Sequence, residues 1–461
     1  MAVHDDDQPM SLANSRATFT IPLPALGARL LLLAPLFLAL VGGWFSARWY
    51  FGQTISEVAT TGDAPNLDLA RVAVRWAPDD PFVHWRLGVL EQENFNASNL
   101  EGAVREFESA VRMAPTDFRY WDELGRALEA AGNPAAAEAA LRHSVDLAPN
   151  YYFPRWHLGN VLLREGRLQE AFPHLFRAAD ANPQLWPQVL NLAWQAYDGD
   201  VDLIASEACK DPAVRITFAI YLVGVQKYDD AVRLWKTLPA QQRAELGGNG
   251  RDLRKALFDA KQFRSALEIT KDLESGSPAG INPDEVSNGG FEQPIIIPTI
   301  KAFGWSIGNG VQAQISIGDL GHSGHHSMRV IFNAANKIDH INAWQTIAVQ
   351  PNTHYHLECY ARTERLSSAS TPVIVVADTA DAQPLATSVP LPPGTNDWQR
   401  VSVDFTTKNS DGITISVSRL ACSVGDVCPI FGTVWYDDFN LQSRQVGIPG
   451  RPRGSSAAGN R

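Results

Sequence analysis

Between about Leu67 and Pro183 the apolar and small residues recur with a period longer than any single helix. Leu158-Gly159, Leu162, Ala171, Leu175 and Ala178 lead to Pro183. Leu124-Gly125, Leu128, Ala137 and Leu141 lead to Pro149, and Leu87-Gly88, Ala103, Phe107 and Ala110 lead to Pro115. Pro78, Pro115, Pro149 and Pro183 stand 37, 34 and 34 residues apart, and Gly88, Gly125, Gly159 and then Ala193 keep the same intervals. Three extra residues sit in the turn at Asn94–Asn99 of the first unit. Such spacing predicts stacked pairs of antiparallel helices. The small residues allow close approach, the large apolar ones fill the space between, and each proline ends a second helix because it cannot donate a backbone hydrogen bond. Leu67–Trp76 reads as the second helix of a half repeat. Beyond Pro183 the pattern weakens but predicts further pairs: Leu185–Tyr197 with a weak second helix, then Val214–Tyr228 with Asp229–Thr237, then Asp252–Phe263 with Arg264–Leu273.

After a linker rich in Gly, Ser and Pro at 276–286 the period changes to two. Met328–Phe332, Trp344–Val349, His354–Arg362, Val373–Ala377, Arg400–Phe405, Ile413–Ser418 and Val434–Leu441 alternate apolar and polar residues between Gly, Pro, Asn and Asp. That predicts short strands of a β-sandwich. Trp398 and Trp305 are expected in its core. Along His354–Arg362, Tyr355, Leu357 and Cys359 face one way, and Glu358, Tyr360 and Arg362 the other.

The helical part resembles the tetratricopeptide repeat family over about 120 residues. It departs from that pattern at Ser144, where Ala is usual, and at Trp85 and Trp156, each one position late. The resemblance implies a right-handed superhelix over 65–275 with a concave groove for a protein partner, or a rigid spacer. The β part, 287–442, resembles the jelly-roll carbohydrate-binding modules of the galactose-binding-like sandwich. Asn288-Gly-Gly-Phe-Glu292, Gly304-Trp305, Gly321-His-Ser-Gly324 and Gly432-Thr-Val-Trp-Tyr-Asp-Asp-Phe-Asn-Leu441 carry that likeness. It implies an eight- to ten-stranded sandwich and a structural calcium held by Glu292 and Asp438, both of which offer the hard oxygen ligands calcium takes. It also implies sugar binding, and the row of β positions holding Glu358, Tyr360 and Arg362, with Trp344 from the neighbouring strand, gives Trp344, Tyr360 and Arg362 as the expected ligand residues. The reading in which Glu292 and Asp438 cap strand ends stays open, as does a face that only meets solvent or protein. His322, His325 and His326 read as a loop entering a strand rather than a zinc site.

An apolar run at 26–47, flanked by Arg29 and Arg48 and by Trp44, Trp49 and Tyr50, is long enough for a single transmembrane helix. The alternative is a cleaved signal peptide. Arg16 and Arg29 before the run favour a bacterial inner-membrane protein with its bulk on the periplasmic side. Residues 1–25 and 443–461 read as disordered ends. The fold class expected is therefore multidomain: one transmembrane helix, an all-α tetratricopeptide superhelix and an all-β jelly-roll sandwich.

A net charge of −11 argues against nonspecific nucleic-acid binding. Of the four cysteines, Cys209 and Cys359 read as buried thiols. Cys422 and Cys428 are close enough for a disulfide, the alternative being two thiols in a loop. No phosphate loop, nucleophile elbow or His-Glu-x-x-His motif occurs, and the array and the sandwich use up the chain. The expectation is a non-catalytic scaffold with a protein partner on the repeats and a glycan on the sandwich, suited to envelope polysaccharide assembly or export. The alternative is an assembly factor whose sandwich docks on protein.

Overall fold

The computed structural model describes residues 26–61, 66–93, 97–274, 280–308, 310, 313–335, 341–422 and 427–444, with the side chains of 26–32 and 97–98 outside the description. The expected disordered ends, apart from Ser443 and Arg444, and the first part of the linker lie outside the described residues. The chain forms two compact units, Met1–Leu185 and Trp186–Arg461.

The first unit is a run of helices: α1 (Leu26–Thr61), α2 (Leu67–Trp76), α3 (Pro81–Glu93), α4 (Ala97–Met113), α5 (Phe118–Ala130), α6 (Pro134–Leu147), α7 (Tyr152–Arg164) and α8 (Leu168–Ala181). Successive helices pair as the spacing predicts, α3 with α4, α5 with α6 and α7 with α8. The glycines mark the contact points. A Cβ on Gly88 would lie 2.8 Å from the Phe107 ring, on Gly125 2.5 Å from Leu141 Cγ, and on Gly159 2.7 Å from Leu175. All three partners are fully buried, so a larger residue at these positions overpacks the pair.

The two departures from the family pattern have physical causes. Ser144 is fully buried, and its hydroxyl donates to the Phe118 carbonyl of the facing helix at 2.8 Å. The position before each late Trp does a recurring job. His84 Nε2 meets the Pro78 carbonyl at 3.1 Å, Trp121 Nε1 donates to Pro115 O at 2.9 Å, and Arg155 Nε donates to Pro149 O at 2.7 Å. Three different side chains thus hold the carbonyl of the proline that closes the preceding pair, which leaves Trp85 and Trp156 free to face elsewhere.

α1 corrects the amino-terminal expectation. Among the described residues no helix is long and apolar enough to cross a membrane. Within the predicted span of 26–47, residues 26–32 have no described side chains, and the described remainder is broken by Pro35, Gly42, Gly43 and Ser46. The helix then continues unbroken to Thr61 as a repeat helix. Gly52 stands 36 residues before Gly88, its Cβ would lie 2.6 Å from Ala77, and Ser56 and Ala59 are buried. Arg48 pairs with Asp79 at 2.6 Å. The predicted half repeat at α2 is therefore a full pair with the end of α1. The transmembrane helix, and with it the single-pass inner-membrane placement and periplasmic bulk that rested on it, do not stand.

The second unit opens with α9 (Trp186–Ala196), α10 (Val201–Ala208), α11 (Pro212–Gly224), α12 (Tyr228–Lys236), α13 (Ala240–Glu245), α14 (Gly247–Asp259) and α15 (Phe263–Leu273). Among the described residues ten strands follow: β1 (Ser306–Ile307), β2 (Ala313–Gly318), β3 (Ser327–Ala334), β4 (Ala343–Ala348), β5 (His354–Ser368), β6 (Pro372–Asp378), β7 (Pro384–Thr387), β8 (Gly394–Thr406), β9 (Gly412–Arg419) and β10 (Ile430–Arg444). They form two five-stranded antiparallel sheets, β1-β4-β9-β6-β7 and β2-β3-β10-β5-β8. Alternate residues of both sheets meet in one core that includes Ile315, Val330, Tyr355, Ile374, Ile415 and Tyr436. Each of the seven predicted strands overlaps an observed one; β1, β2 and β7 are additional.

The last helix and the sandwich are joined by an end cap supplied from far along the chain. Gln262, at the amino end of α15, makes no side-chain cap. Instead the two oxygens of Asp411 accept the N–H groups of Phe263 and Arg264 at 3.0 and 2.9 Å, where the helix dipole also favours a carboxylate. The Phe258 ring meets Phe303 edge-on at 5.5 Å, and Arg264 reaches Asp284 at 3.5 Å.

Candidate functional site

The first unit carries a cleft of about 890 Å³ across α3, α5 and α7, the first helices of three successive pairs. It is lined by Trp85 from α3, by Phe118, Asp122 and Arg126 from α5, and by Tyr151, Phe153 and His157 at the start of α7. The aromatic rings form a ledge. Phe118 meets Tyr151 at 4.9 Å, Tyr152 stacks on Phe153 at 4.0 Å, and Phe153 lies parallel to His157 at 6.4 Å. Tyr151 and Phe153 are 55% and 47% exposed, so two large rings stand open beside one another at the cleft.

The charges in the cleft are internally paired. Arg119 grips Asp117 with two N–H groups at 2.9 and 2.6 Å and holds its carboxyl below the usual range. Asp117 also caps α5 by accepting the Arg119 N–H at 3.0 Å. Both oxygens of Asp122 lie 2.9 Å from His157 Nδ1. Burial pushes the Glu123 carboxyl up, opposed by Arg126 at 2.7 Å. The result is an apolar ledge beside a floor of ion pairs. That surface can seat the side chains of a peptide without leaving a buried charge unpaired.

In the second unit the predicted ligand face is split. Trp344 lies on β4, opposite Ser306 and Ser416 in the first sheet. Tyr360 and Arg362 lie on β5, opposite Asp437 and Trp435 in the second. The alternation along β5 runs as expected, with Tyr355, Leu357 and Cys359 buried. However, β4 and β5 are neighbours in sequence and not in a sheet, so the three residues do not converge. Trp398 is corrected too. It is half-buried on the outer face of β8, edge-on to His322 at 5.7 Å, not between the sheets. Trp305 is in the core, 3% exposed, and donates to Asn288 O at 3.2 Å.

Glu292 and Asp438 flank one loop. Glu292 Oε1 accepts the N–H groups of His325 and His326 at 2.7 and 2.8 Å. Asp438 accepts from the Ser323 hydroxyl at 2.7 Å and lies 2.7 Å from His322 Nδ1. Asp437 accepts the N–H groups of His322 and Ser323. These oxygens are occupied by the loop, and among the described residues no group of three or more His, Cys, Asp or Glu is placed to hold a metal ion. The residues as arranged form a clamp on the 321–326 loop. Cys422 and Cys428 are joined by a disulfide, and Cys209 and Cys359 are buried thiols.

The clamp has a pH signature. The backbone N–H groups of His326 and His325 hold the Glu292 carboxyl down at about 2, against an ordinary value of 4.5. A depressed carboxylate stabilises the fold fully above its ordinary value and loses that contribution as pH falls toward its folded one. The difference in unfolding temperature between the chain and Glu292→Gln is therefore expected to be constant above pH 4.5 and to close toward pH 2. A difference that stays constant through that window would show that the carboxylate is not held by the loop.

The class of molecule defined by this architecture is a helical-repeat protein followed by an all-β region. Residues 92–152 match the model of the tetratricopeptide repeat. A 78-residue stretch is 32% identical to Superkiller protein 3 of Schizosaccharomyces pombe, a match that spans 17% of this chain and 5% of that protein. Among solved structures, a crystal structure of MamA protein is 16% identical and covers 41% of this chain and 93% of its own, with a TM-score of 0.32. A MamA chain from Desulfovibrio magneticus is 18% identical and covers 30% and 76%, with a TM-score of 0.26. Scores of that size do not bear on function.

Proposed function

We propose that this chain is a non-catalytic protein-interaction scaffold whose cleft across α3, α5 and α7 holds a peptide segment of a partner. The observation that carries this reading is the exposed ledge of Tyr151 and Phe153 beside a floor of paired charges. Large rings left open on a rigid helical array offer anchor sites at low entropic cost, because helix packing already fixes their backbone. Peptides selected from a random displayed library on the full chain are expected to bind saturably. The double substitution Tyr151→Ala and Phe153→Ala should weaken them at least tenfold, about 1.4 kcal/mol, with an unchanged unfolding temperature. Equal affinity for the variant would exclude the cleft as the site. A glycan face built from Trp344, Tyr360 and Arg362 draws no support from their placement on two sheets.

A further inference from the structure

We infer that the outer face of the β2-β3-β10-β5-β8 sheet, around Arg329 and Arg362, docks an acidic segment of a partner protein. Register sets Arg329 of β3 and Arg362 of β5 on either side of Trp435 of β10. Their chain neighbours Met328, Val330, Ala361, Val434 and Tyr436 fill the core, so this row points away from it. The aromatic rings of the face are already covered. The Arg362 guanidinium lies 5.9 Å over Trp435. His322 stacks on Tyr360 at 3.7 Å and meets Trp398 edge-on. A neutral sugar needs an open ring to stack on, whereas this face carries the half-buried side chains of Arg329 and Arg362 beside its rings.

Among the described residues these two arginines have no acidic partner. Arg329 Nε is buried with no hydrogen-bond partner among the described residues. The acids nearby on β5 face other arginines: Glu358 lies 3.9 Å from Arg400, and Glu364 pairs with Arg365 at 3.2 Å. The chain has 50 acidic residues against 39 basic ones, yet among the described residues none forms an ion pair with Arg329 or Arg362. A guanidinium placed over an indole ring keeps its N–H groups for hydrogen bonds to a carboxylate, which its planar fork can make in pairs. Arg329 and Arg362 stand two strands apart, about 10 Å. That separation suits carboxylates a few residues apart on an extended chain.

Poly-L-glutamate titrated calorimetrically into the full chain is expected to bind saturably at low salt and to weaken as salt rises. Arg362→Gln and Arg329→Gln should each lower the affinity at least fivefold at unchanged unfolding temperature. Arg362→Lys, which keeps the charge and loses the planar fork, should also weaken it. Polygalacturonate and dextran serve as comparison ligands. Absence of poly-L-glutamate binding would overturn the proposal, and so would binding that both glutamine variants retain. Tighter, arginine-dependent binding of polygalacturonate would overturn it in favour of a glycan occupant.

Discussion

Replacing Gly289 with alanine is expected to remove the sandwich from the folded population at ambient temperature, at a cost of more than about 3 kcal/mol. The residue belongs to the opening motif Asn288-Gly-Gly-Phe-Glu292, whose backbone lies directly on the closing strand. Phe439 N–H donates to Gly289 O at 3.0 Å. A Cβ on Gly289 would overlap the Phe439 carbonyl oxygen and lie 3.1 Å from its carbonyl carbon. Both obstacles are main chain, so no side-chain rotation relieves them. Asn288 and Phe291 take positive φ at 51° and 57° to make the turn, and Phe291 is buried against Trp305 at 5.2 Å. Loss of the near-ultraviolet signal of the sandwich in Gly289→Ala would be the expected result. A native signal with an unfolding temperature within a degree or two of wild type would show that the two ends of the domain are not held together there.

The second large effect is expected at Gly412. Its Cβ would lie 2.7 Å from Phe263 Cγ, and Phe263 is 1% exposed, so the ring has nowhere to move. Gly412→Ala should cost about 2–3 kcal/mol and should loosen α15 and the sandwich together. Asp411→Ala, which removes only the end cap of α15, should cost about 1 kcal/mol. Hydrogen exchange of the full chain distinguishes the possibilities. Faster exchange in both Phe263–Leu273 and β9 is the expected outcome for Gly412→Ala, while a change confined to β9 would mean that the last helix and the sandwich fold independently.

The proline and glycine spacings were legible in the sequence because their requirements are steric and local. A helix must end, and two helices must touch, whatever else surrounds them. The holders of the proline carbonyls were not legible. His84, Trp121 and Arg155 share an N–H donor and a geometric role but no side-chain type, and only the fold brings three unlike side chains to one kind of acceptor. The apolar run at the amino end misled for a related reason. Composition cannot tell where one helix stops serving one environment and its continuation packs into a repeat, as α1 does from Gly52 onward. In the sandwich, alternation placed Tyr360 and Arg362 correctly on an outward face. It could not assign Trp344, because period two separates inside from outside but does not say which of two sheets a strand joins. The cleft was visible only as an expected groove. Its ledge depends on Tyr151 and Phe153, which lie at a helix start where no apolar periodicity singles them out. Glu292 and Asp438 were paired from opposite ends of the domain, and they do meet around one loop, although as hydrogen-bond acceptors for that loop.

The most direct test of the scaffold reading is hydrogen exchange of the full chain with and without a library-selected peptide. Slower exchange confined to residues 116–126 and 151–160 is the result expected if the cleft is the binding site. Protection elsewhere with those segments unchanged would contradict it.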